Sequence, residues 1–384
     1  MQTREIQSLF LKHKEPLLSH RYITNKHIEP LLDKLAGDLD VEIIGLSVLN
    51  SPIYGVQLGR GKKKVLMWSQ MHGNESTTTK ALFDLLNTLK SKDLKYILEA
   101  CTLCVIPILN PDGAEAYTRL NANLVDLNRD AQNLSQPESR VLREVFNEFK
   151  PDFCFNLHGQ RTIFSAGSVN KSAVVSFLSP AQDETCKITP NRKVAMTLIG
   201  VINDNLQAII PGQVGVYDDA FNLNCVGDTF QSENVPTILF EAGHFNNDYE
   251  REYTRELIYI SYISVLDYIS KVEELGIDDY DAYLTIPENE KCFYDIIIRN
   301  SKLIVDSKES LSDIGIQYQE KLIDGCIEFI PKVVEIGKLD KKFGHREIDA
   351  KGFEVFNETN KGVEIGSENV LVVINNESIS LLSK

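Results

Sequence analysis

Short apolar runs alternate with amphipathic segments along the chain as far as residue 271. The runs at 65–71, 101–109 and 152–158 carry few charged side chains, which is typical of strands buried on both faces. The segments 75–90 and 137–149 place leucine, valine and phenylalanine on one helical face. This order predicts an α/β fold, with a mixed and mostly parallel sheet covered by helices on both faces.

The pattern changes after Leu284. Residues 285–384 contain short β-rich runs such as GCIEFIPKVVEIG and NVLVVINN, separated by asparagine, glycine and aspartate. No long helical pattern interrupts them. We therefore predict a large α/β domain over 1–284 and a small β-rich C-terminal domain over 285–384, joined through the acidic stretch 276–283.

The charge of the chain disfavours two classes of partner. Lysine and arginine total 40 against 55 aspartates and glutamates, which gives a formal net charge of -15. An acidic surface of this kind repels nucleic acid and anionic membranes. The chain also lacks an uncharged apolar run of the ~18 residues that a membrane-spanning helix needs. We expect neither nucleic acid nor a membrane as a partner.

The cysteines and the first residues of the chain indicate the cellular compartment of the protein. Seven cysteines are scattered along the chain, mostly in apolar runs, as buried reduced thiols are. Cys101 and Cys104 form a C-x-x-C within one apolar run, where a structural role is favoured over a metal or redox role. The opening MQTREIQSLFLKHKEP has charges in place of the apolar core of a secretory signal. These features predict a cytoplasmic protein.

Residues with catalytic chemistry follow the predicted strands. His72 and Glu75 come after the strand 65–71, His158 ends a second strand and Glu241 ends a third. Open α/β sheets bind ligands at the carboxyl ends of their strands. Two histidines and one glutamate form an open catalytic zinc set, and a further carboxylate is able to act as a general base on water.

The stretch NPDGAEAYTRLNANLVDLNRD adds Arg119, Asn128 and Arg129 within eleven residues. The order HGNE, NPDG, an arginine nine residues before the asparagine of DLNR, LHG and a strand-closing glutamate resembles the zinc carboxypeptidase (M14) family. The resemblance covers roughly residues 41–270.

The resemblance implies a fold and a metal site. The fold is an eight-stranded α/β/α sandwich. One Zn²⁺ per chain is held by His72, Glu75 and His158. Arg119 polarises the scissile carbonyl, and Glu241 acts as general base on the zinc-activated water and passes its proton to the leaving amine.

It also implies how the substrate is held. Asn128 and Arg129 grip the free carboxylate of a peptide or small amide substrate, and Asp126 orients the His72 ring. Tyr217 is the best candidate for the tyrosine that covers the substrate in this family. Asp228 falls in the segment that sets side-chain specificity, where recognition of a basic group and a plain turn role are equally favoured.

For four further residues a structural role is favoured over a role in the site. His244 is more often a core residue than part of a site, and His345 lies in a polar segment that predicts solvation. Glu138 is interpreted as an acid in the first turn of a helix. For Arg161, three residues after His158, a surface salt bridge is favoured over a role in binding anionic substrates. Asn156 stands where the family often has an acid, which is a departure close to the third zinc ligand.

Three functions are compatible with these motifs. The first is a zinc metallocarboxypeptidase that removes a C-terminal residue from a peptide. The second is a zinc deacylase of N-acyl amino acids, similar to the succinylglutamate desuccinylase and aspartoacylase type, which also has an extra β domain. The third is a catalytically inactive binding module. NPDG and the spacing from Arg119 to DLNR favour the peptidase, and no ligand or base is missing.

Overall fold

The structure is a computed structural model that describes residues 1–91, 93–273, 279–305 and 308–383. Its helices, in chain order, are α1 Thr3–His13, α2 Asn25–Leu35, α3 Thr77–Lys90, α4 Lys95–Ala100, α5 Pro111–Ala116, α6 Pro137–Phe149, α7 Pro190–Gln207, α8 Val226–Ser232, α9 Glu252–Lys271 and α10 Asp281–Leu284, with a single 3₁₀ turn over Leu127–Arg129.

The strands are β1 Asp40–Leu46, β2 Pro52–Gly59, β3 Lys63–Ser69, β4 Cys101–Ile106, β5 Phe153–Gly159, β6 Phe164–Ala166, β7 Val175–Leu178, β8 Val214–Val216, β9 Thr237–Ala242, β10 Asn289–Lys291, β11 Phe293–Val305, β12 Lys308–Ile323, β13 Cys326–Gly337, β14 Phe343–Asp349, β15 Val355–Asn357, β16 Leu371–Ile374 and β17 Glu377–Ser380.

Eight strands form one mixed sheet in the order β1-β2-β4-β3-β5-β9-β7-β8. The four central strands β4, β3, β5 and β9 pair in parallel. The strands β1, β2 and β7 add antiparallel pairs around them. The predicted mixed, mostly parallel eight-stranded sheet is confirmed. Its parallel centre brings the ends of β3, β5 and β9 to the same edge.

Helices cover both faces of this sheet. Met67 packs into the core under α3, α7 and α9, whereas Leu66 and Trp68 pack into the core under α6 and α8. Successive side chains of a strand point to opposite faces, so a central strand with helices on both sides must be apolar at every position. This requirement explains the uninterrupted apolar run in the sequence.

Most of the long elements start and end close to their predicted positions, but β6, β7 and β8 were not predicted. These strands have three or four residues each, which is too short for a periodic pattern to be recognised. The strand that holds Cys101 and Cys104 is β4, where both thiols are buried and free. Burial raises their pKa values to about 11 and about 12.

The C-terminal part is β-rich, as predicted. A four-stranded sheet in the order β13-β12-β11-β14 packs with a three-stranded sheet, β15-β16-β17. Within the described residues from 285 onward no helix is present. Residues 276–278 of the predicted linker lie outside the described residues, and the rest of it includes α10. The domain boundary at 284 stays a prediction.

The C-terminal part is fastened to the α/β part. Strand β10 pairs antiparallel with β6. Arg21 forms an ion pair with Glu320 on β12 at 3.0 Å, and the Tyr249 hydroxyl donates to Asp295 at 3.0 Å. Among the described residues, no helix is both long enough and apolar enough to cross a bilayer.

Candidate active site

The turn after β3 carries His72 and Glu75. It runs directly into α3, which begins at Thr77. A Cβ atom on Gly73 would come within 1.9 Å of the Gly113 carbonyl carbon, so only glycine allows the two chain segments to approach this closely. The glycine of HGNE and that of NPDG therefore pack their two turns together.

His72, Glu75 and His158 converge at the edge of the sheet. The two oxygens of the Glu75 carboxylate lie 2.9 Å from His72 Nδ1 and 2.9 Å from His158 Nδ1. The two Nδ1 atoms lie 3.1 Å apart, and one ligand atom from each residue falls within 4.8 Å of the others. The backbone N–H of Gly159 donates to Glu75 at 2.9 Å and helps to fix the carboxylate.

These three side chains suit a zinc ion. Nitrogen and oxygen atoms that accept converge on one point in a largely buried setting, and burial lowers the pKa of His158, which favours the neutral imidazole that a metal requires. For His72, burial acts against the charged form, but Glu75 and Asp126 outweigh it, so the pKa is raised. Two histidines and one glutamate leave a coordination position for water or substrate.

Asp126 orients His72 from the other side of the ring. Its Oδ1 lies 3.0 Å from His72 Nε2, so that Nδ1 faces Glu75 and His158. The same carboxylate accepts from Arg119 Nε at 3.1 Å and Nη2 at 3.0 Å. Burial opposes its charge, but the contacts with His72 and Arg119 outweigh burial and hold the pKa of Asp126 well below its usual range. The resemblance implied this role for Asp126, and the contact agrees with it.

Replacing Asp126 with alanine is expected to weaken metal binding by roughly 10–100-fold, because loss of a carboxylate that orients a metal-binding histidine typically has that effect. Competition with a chelator of known zinc affinity measures the change. Asp204→Ala removes an exposed carboxylate on α7 and serves as the control. Equal zinc affinities for wild type and Asp126→Ala would contradict the orienting role.

Glu241 ends β9 directly beside His158. The two residues are paired in the parallel register of β5 and β9. Burial and then the neighbouring Glu75 carboxylate raise the pKa of Glu241 well above its usual value. Its Oε2 is buried and has no hydrogen-bond partner among the described residues. A poorly solvated carboxylate with one free oxygen beside a metal set is suited to accept a proton.

Arg119 contacts the same site, and Asn128 and Arg129 follow Asp126 in the chain. Arg119 Nη1 lies 3.4 Å from Glu75 Oε1. Asn128 and Arg129 lie on the 3₁₀ turn that Asp126 begins, and the Asn128 side-chain oxygen accepts from the Val226 N–H at 3.0 Å. This bond orients the Asn128 amide, while the Arg129 side chain is exposed to solvent.

Tyr217 and Asp228 also lie near the site. Burial, with Glu241 and Glu75 next, raises the pKa of Tyr217, and its hydroxyl donates to Gln160 Oε1 at 2.8 Å. Asp228 is buried in the first turn of α8, and burial raises its pKa to about 6, although Arg129 lowers it. The contact with Gln160 was not predicted. The only sequence signal for that residue is its place in LHGQ, two positions after His158.

His345 is half-buried and packed among aromatic rings, whereas the sequence predicted a solvated side chain. Its ring stacks on Phe293 at 4.5 Å, lies 4.4 Å from the ring of His244 and contacts the Thr162 carbonyl oxygen at 2.8 Å. Burial lowers its pKa to about 4. Local sequence around His345 is polar, but β14 pairs with β11 against the α/β part, a contact that no local pattern reveals. His244 is buried in the same cluster and lies outside the zinc-suited set.

Glu138 lies in the first turn of α6, as predicted, and also forms hydrogen bonds with other segments. It is fully buried, and its carboxylate accepts from the Val48 N–H at 3.1 Å and the Asn121 side chain at 3.2 Å. Burial raises its pKa. Glu138 thus ties the loop after β1 to the chain segment that leads to Asp126.

Comparison with known proteins agrees with this geometry. The sequence model of the family described as zinc carboxypeptidase matches residues 28–222, about half of the chain. The chain belongs to the zinc carboxypeptidase family. The family match includes the turns that hold His72, Glu75 and His158, the segment from Arg119 to Arg129, and Tyr217.

Individual relatives are more distant. Carboxypeptidase 2 from Trichophyton rubrum is 32% identical over 100 residues, which is 25% of this chain and 19% of that protein. The aligned part therefore spans about a fifth of the length of such relatives.

Solved structures support the fold. A metallocarboxypeptidase from Pseudomonas aeruginosa, in complex with (2-guanidinoethylmercapto)succinic acid, aligns with a TM-score of 0.52 at 17% identity over 65% of this chain and 70% of that one. Bovine thrombin-activatable fibrinolysis inhibitor aligns with a TM-score of 0.52 at 12% identity over 65% of this chain and 98% of that chain.

Proposed function

We propose that the protein is a zinc-dependent metallocarboxypeptidase that hydrolyses the C-terminal peptide bond of peptides. One observation carries the proposal: the zinc-suited set of His72, Glu75 and His158 lies beside Glu241 on one side and is linked through Asp126 to the turn of Asn128 and Arg129 on another. A metal set, a base and a carboxylate-binding pair are the three parts that a carboxypeptidase needs.

The residues divide the reaction between them. Zinc, held by His72, Glu75 and His158, supplies Lewis-acid polarisation of the water and of the scissile carbonyl when bound. Glu241 accepts a proton from the attacking water and passes it to the leaving amine, so that peptide and water become an acid and an amine. Arg119, beside the metal set, donates to the oxygen on which negative charge develops.

The substrate is oriented by its own terminal carboxylate. The Arg129 guanidinium presents a planar fork that matches a carboxylate, and the Asn128 amide beside it adds N–H donors. Tyr217 closes over the bound residue and Asp228 contacts its side chain in this proposal. The Tyr217 assignment is supported by its hydroxyl, which donates to Gln160, two residues after His158. The Asp228 assignment is supported by its place in the first turn of α8, where the Val226 N–H donates to Asn128.

Blocking the terminal carboxylate as an amide is expected to lower kcat/KM of wild type by roughly 10–100-fold, because hydrogen bonds to charged groups contribute about 1.5–3 kcal/mol. Arg129→Ala should lose most of this preference for the acid, since it deletes the partner. The measurement is the ratio of kcat/KM for a peptide acid and its amide on both proteins. Arg4→Ala, an exposed arginine on α1, is the control and should keep the wild-type ratio.

The outcome separates the candidate functions. A wild-type ratio near one contradicts the carboxypeptidase proposal. Turnover of N-acyl amino acids in preference to peptides would instead indicate the deacylase. If zinc-loaded protein hydrolyses neither peptides nor N-acyl amino acids, the result would indicate a binding module. A cytoplasmic location stays a prediction, and fractionation of cells that produce the protein would test it.

A further inference from the structure

A cleft of about 570 Å³ opens beside Glu75 and Arg119. One wall is formed by residues 317–321 of β12, and another by residues 159–162, which follow His158. Sites that hold small ligands commonly measure roughly 300–1,000 Å³. The cleft is therefore large enough for a short peptide segment, and the C-terminal part of the chain supplies about a third of its lining residues.

The β12 wall is held in place by buried contacts. Arg21 is paired with Glu320 at 3.0 Å, and the Tyr117 hydroxyl donates to the same carboxylate at 2.5 Å. The ring of Tyr249 packs against that of Tyr318 on β12 at 4.9 Å between centroids. Several such contacts to buried side chains make β12 a permanent part of the site.

The groups proposed to bind the terminal residue do not line this cleft, although Gln160 in its wall accepts a hydrogen bond from Tyr217. In the described part of the chain, Asn128, Arg129, Tyr217 and Asp228 are absent from its lining. Those residues bind the part of the substrate that leaves as the amine. The cleft next to Glu75 is then the place for the part on the other, acyl side of the scissile bond.

Positive charge exceeds negative charge in this cleft. Five cationic side chains line it against three carboxyl groups. Four of the cations already have partners: Arg119 bonds Asp126, Arg21 bonds Glu320, Lys321 bonds Glu368, and Arg251 donates to the backbone carbonyls of Ala242 and Gln160.

Arg161 is the fifth cation. It is exposed, lines the cleft and lies three residues after His158. The surface salt bridge that the sequence favoured is not formed: no ion pair or side-chain hydrogen bond of Arg161 occurs among residues 1–91, 93–273, 279–305 and 308–383. An unpaired guanidinium in a cleft of positive charge is suited to bind a carboxylate.

We propose that this cleft is the acyl-side subsite and that Arg161 binds a carboxylate there, so that the preferred substrate has an acidic residue immediately before the scissile bond. The inference rests on the proposed carboxypeptidase function and narrows its substrate class. It also gives the C-terminal β-rich part a role, because β12 encloses the subsite.

The first test compares two acetylated dipeptides with the same C-terminal residue, one with glutamate and one with glutamine before the scissile bond. Wild type is expected to prefer the glutamate peptide by roughly tenfold in kcat/KM, the effect of one charge-assisted contact. Arg161→Gln should bring the ratio close to one. Arg60→Gln removes the same charge in the exposed turn between β2 and β3 and should keep the wild-type ratio.

The second test measures binding without turnover. Calorimetry with N-acetylglutamate and N-acetylglutamine should show tighter binding of the glutamate compound to wild type, and loss of that difference in Arg161→Gln. Thermal unfolding of the variant should match wild type because the side chain is exposed.

The two tests separate the subsite from the function. Hydrolysis of both peptides with a wild-type ratio near one, or a preference that survives in Arg161→Gln, overturns the subsite and leaves the carboxypeptidase proposal intact. An Arg161-dependent binding difference without hydrolysis of either peptide supports the subsite and counts against the function. Equal binding of both compounds to wild type overturns the subsite.

Discussion

Replacing Glu241 with glutamine is expected to lower kcat by ~10²–10⁴-fold, the usual cost of losing a positioned general base. Glutamine has nearly the same shape but cannot accept the proton from water. The fold should survive the change, because burial and the Glu75 charge disfavour the ionised form of Glu241 and a neutral amide removes that repulsion. Steady-state kinetics and a thermal unfolding curve of the zinc-loaded variant provide the two measurements.

Glu233→Gln is the matched control for this substitution. It makes the same chemical change at an exposed glutamate that ends α8 and pairs with Arg143, away from the zinc-suited set. Its kcat should equal that of wild type. A Glu241→Gln enzyme that keeps its zinc and hydrolyses its best substrate at close to the wild-type rate would show that another group accepts the proton.

His72→Ala and His158→Ala are each expected to abolish tight zinc binding, and with it nearly all activity. Three ligands hold the ion in an open catalytic site, so removing one leaves two, with the Glu75 carboxylate no longer flanked on both sides. Elemental analysis of protein purified without added metal should find one zinc per wild-type chain and almost none in either variant. Addition of a strong chelator to wild type should reproduce the loss of activity.

His20→Ala controls for the loss of an imidazole as such, since His20 is exposed and forms a surface pair with Glu250 at 3.1 Å. It should retain one zinc and full activity. Full metal content in both His72→Ala and His158→Ala would refute the ligand assignment, whereas loss in only one of them would point to a different third ligand.

The C-terminal part of the chain changes the access to the catalytic edge of the sheet. Residues of β12 and β13 line the cleft beside Glu75, and Arg21 and Tyr117 from the α/β part both bond Glu320 on β12. Under the proposed function, a substrate segment on the acyl side would fit between residues 159–162 of the α/β part and residues 317–321 of β12, which lie far apart in sequence.

Local patterns were sufficient to predict most of the fold. The apolar runs that become β3, β4 and β5 are buried on both faces, and burial on both faces leaves a continuous apolar signature. An amphipathic helix such as α6 has the same advantage, because one side of it faces the core. Strands of three or four residues, such as β8, carry too few positions for a period and were missed.

Some features of the candidate site were also predictable from the sequence, and others were not. Motif spacing alone pointed to His72, Glu75, His158 and Glu241, because the end of each buried strand is visible in sequence and parallel strands bring those ends to one edge. The packing of His345 against other rings and the cleft at Arg161 depend on β14 and β12, strands that meet the α/β part across long sequence separations. Side-chain contacts between such distant segments produce no periodic pattern in the sequence, because each partner looks like an ordinary polar residue in its local segment. The order of residues in the sequence was therefore sufficient to predict the catalytic groups at the strand ends. The shape and charge of the cleft were decided only by the packing of the two parts of the chain against each other.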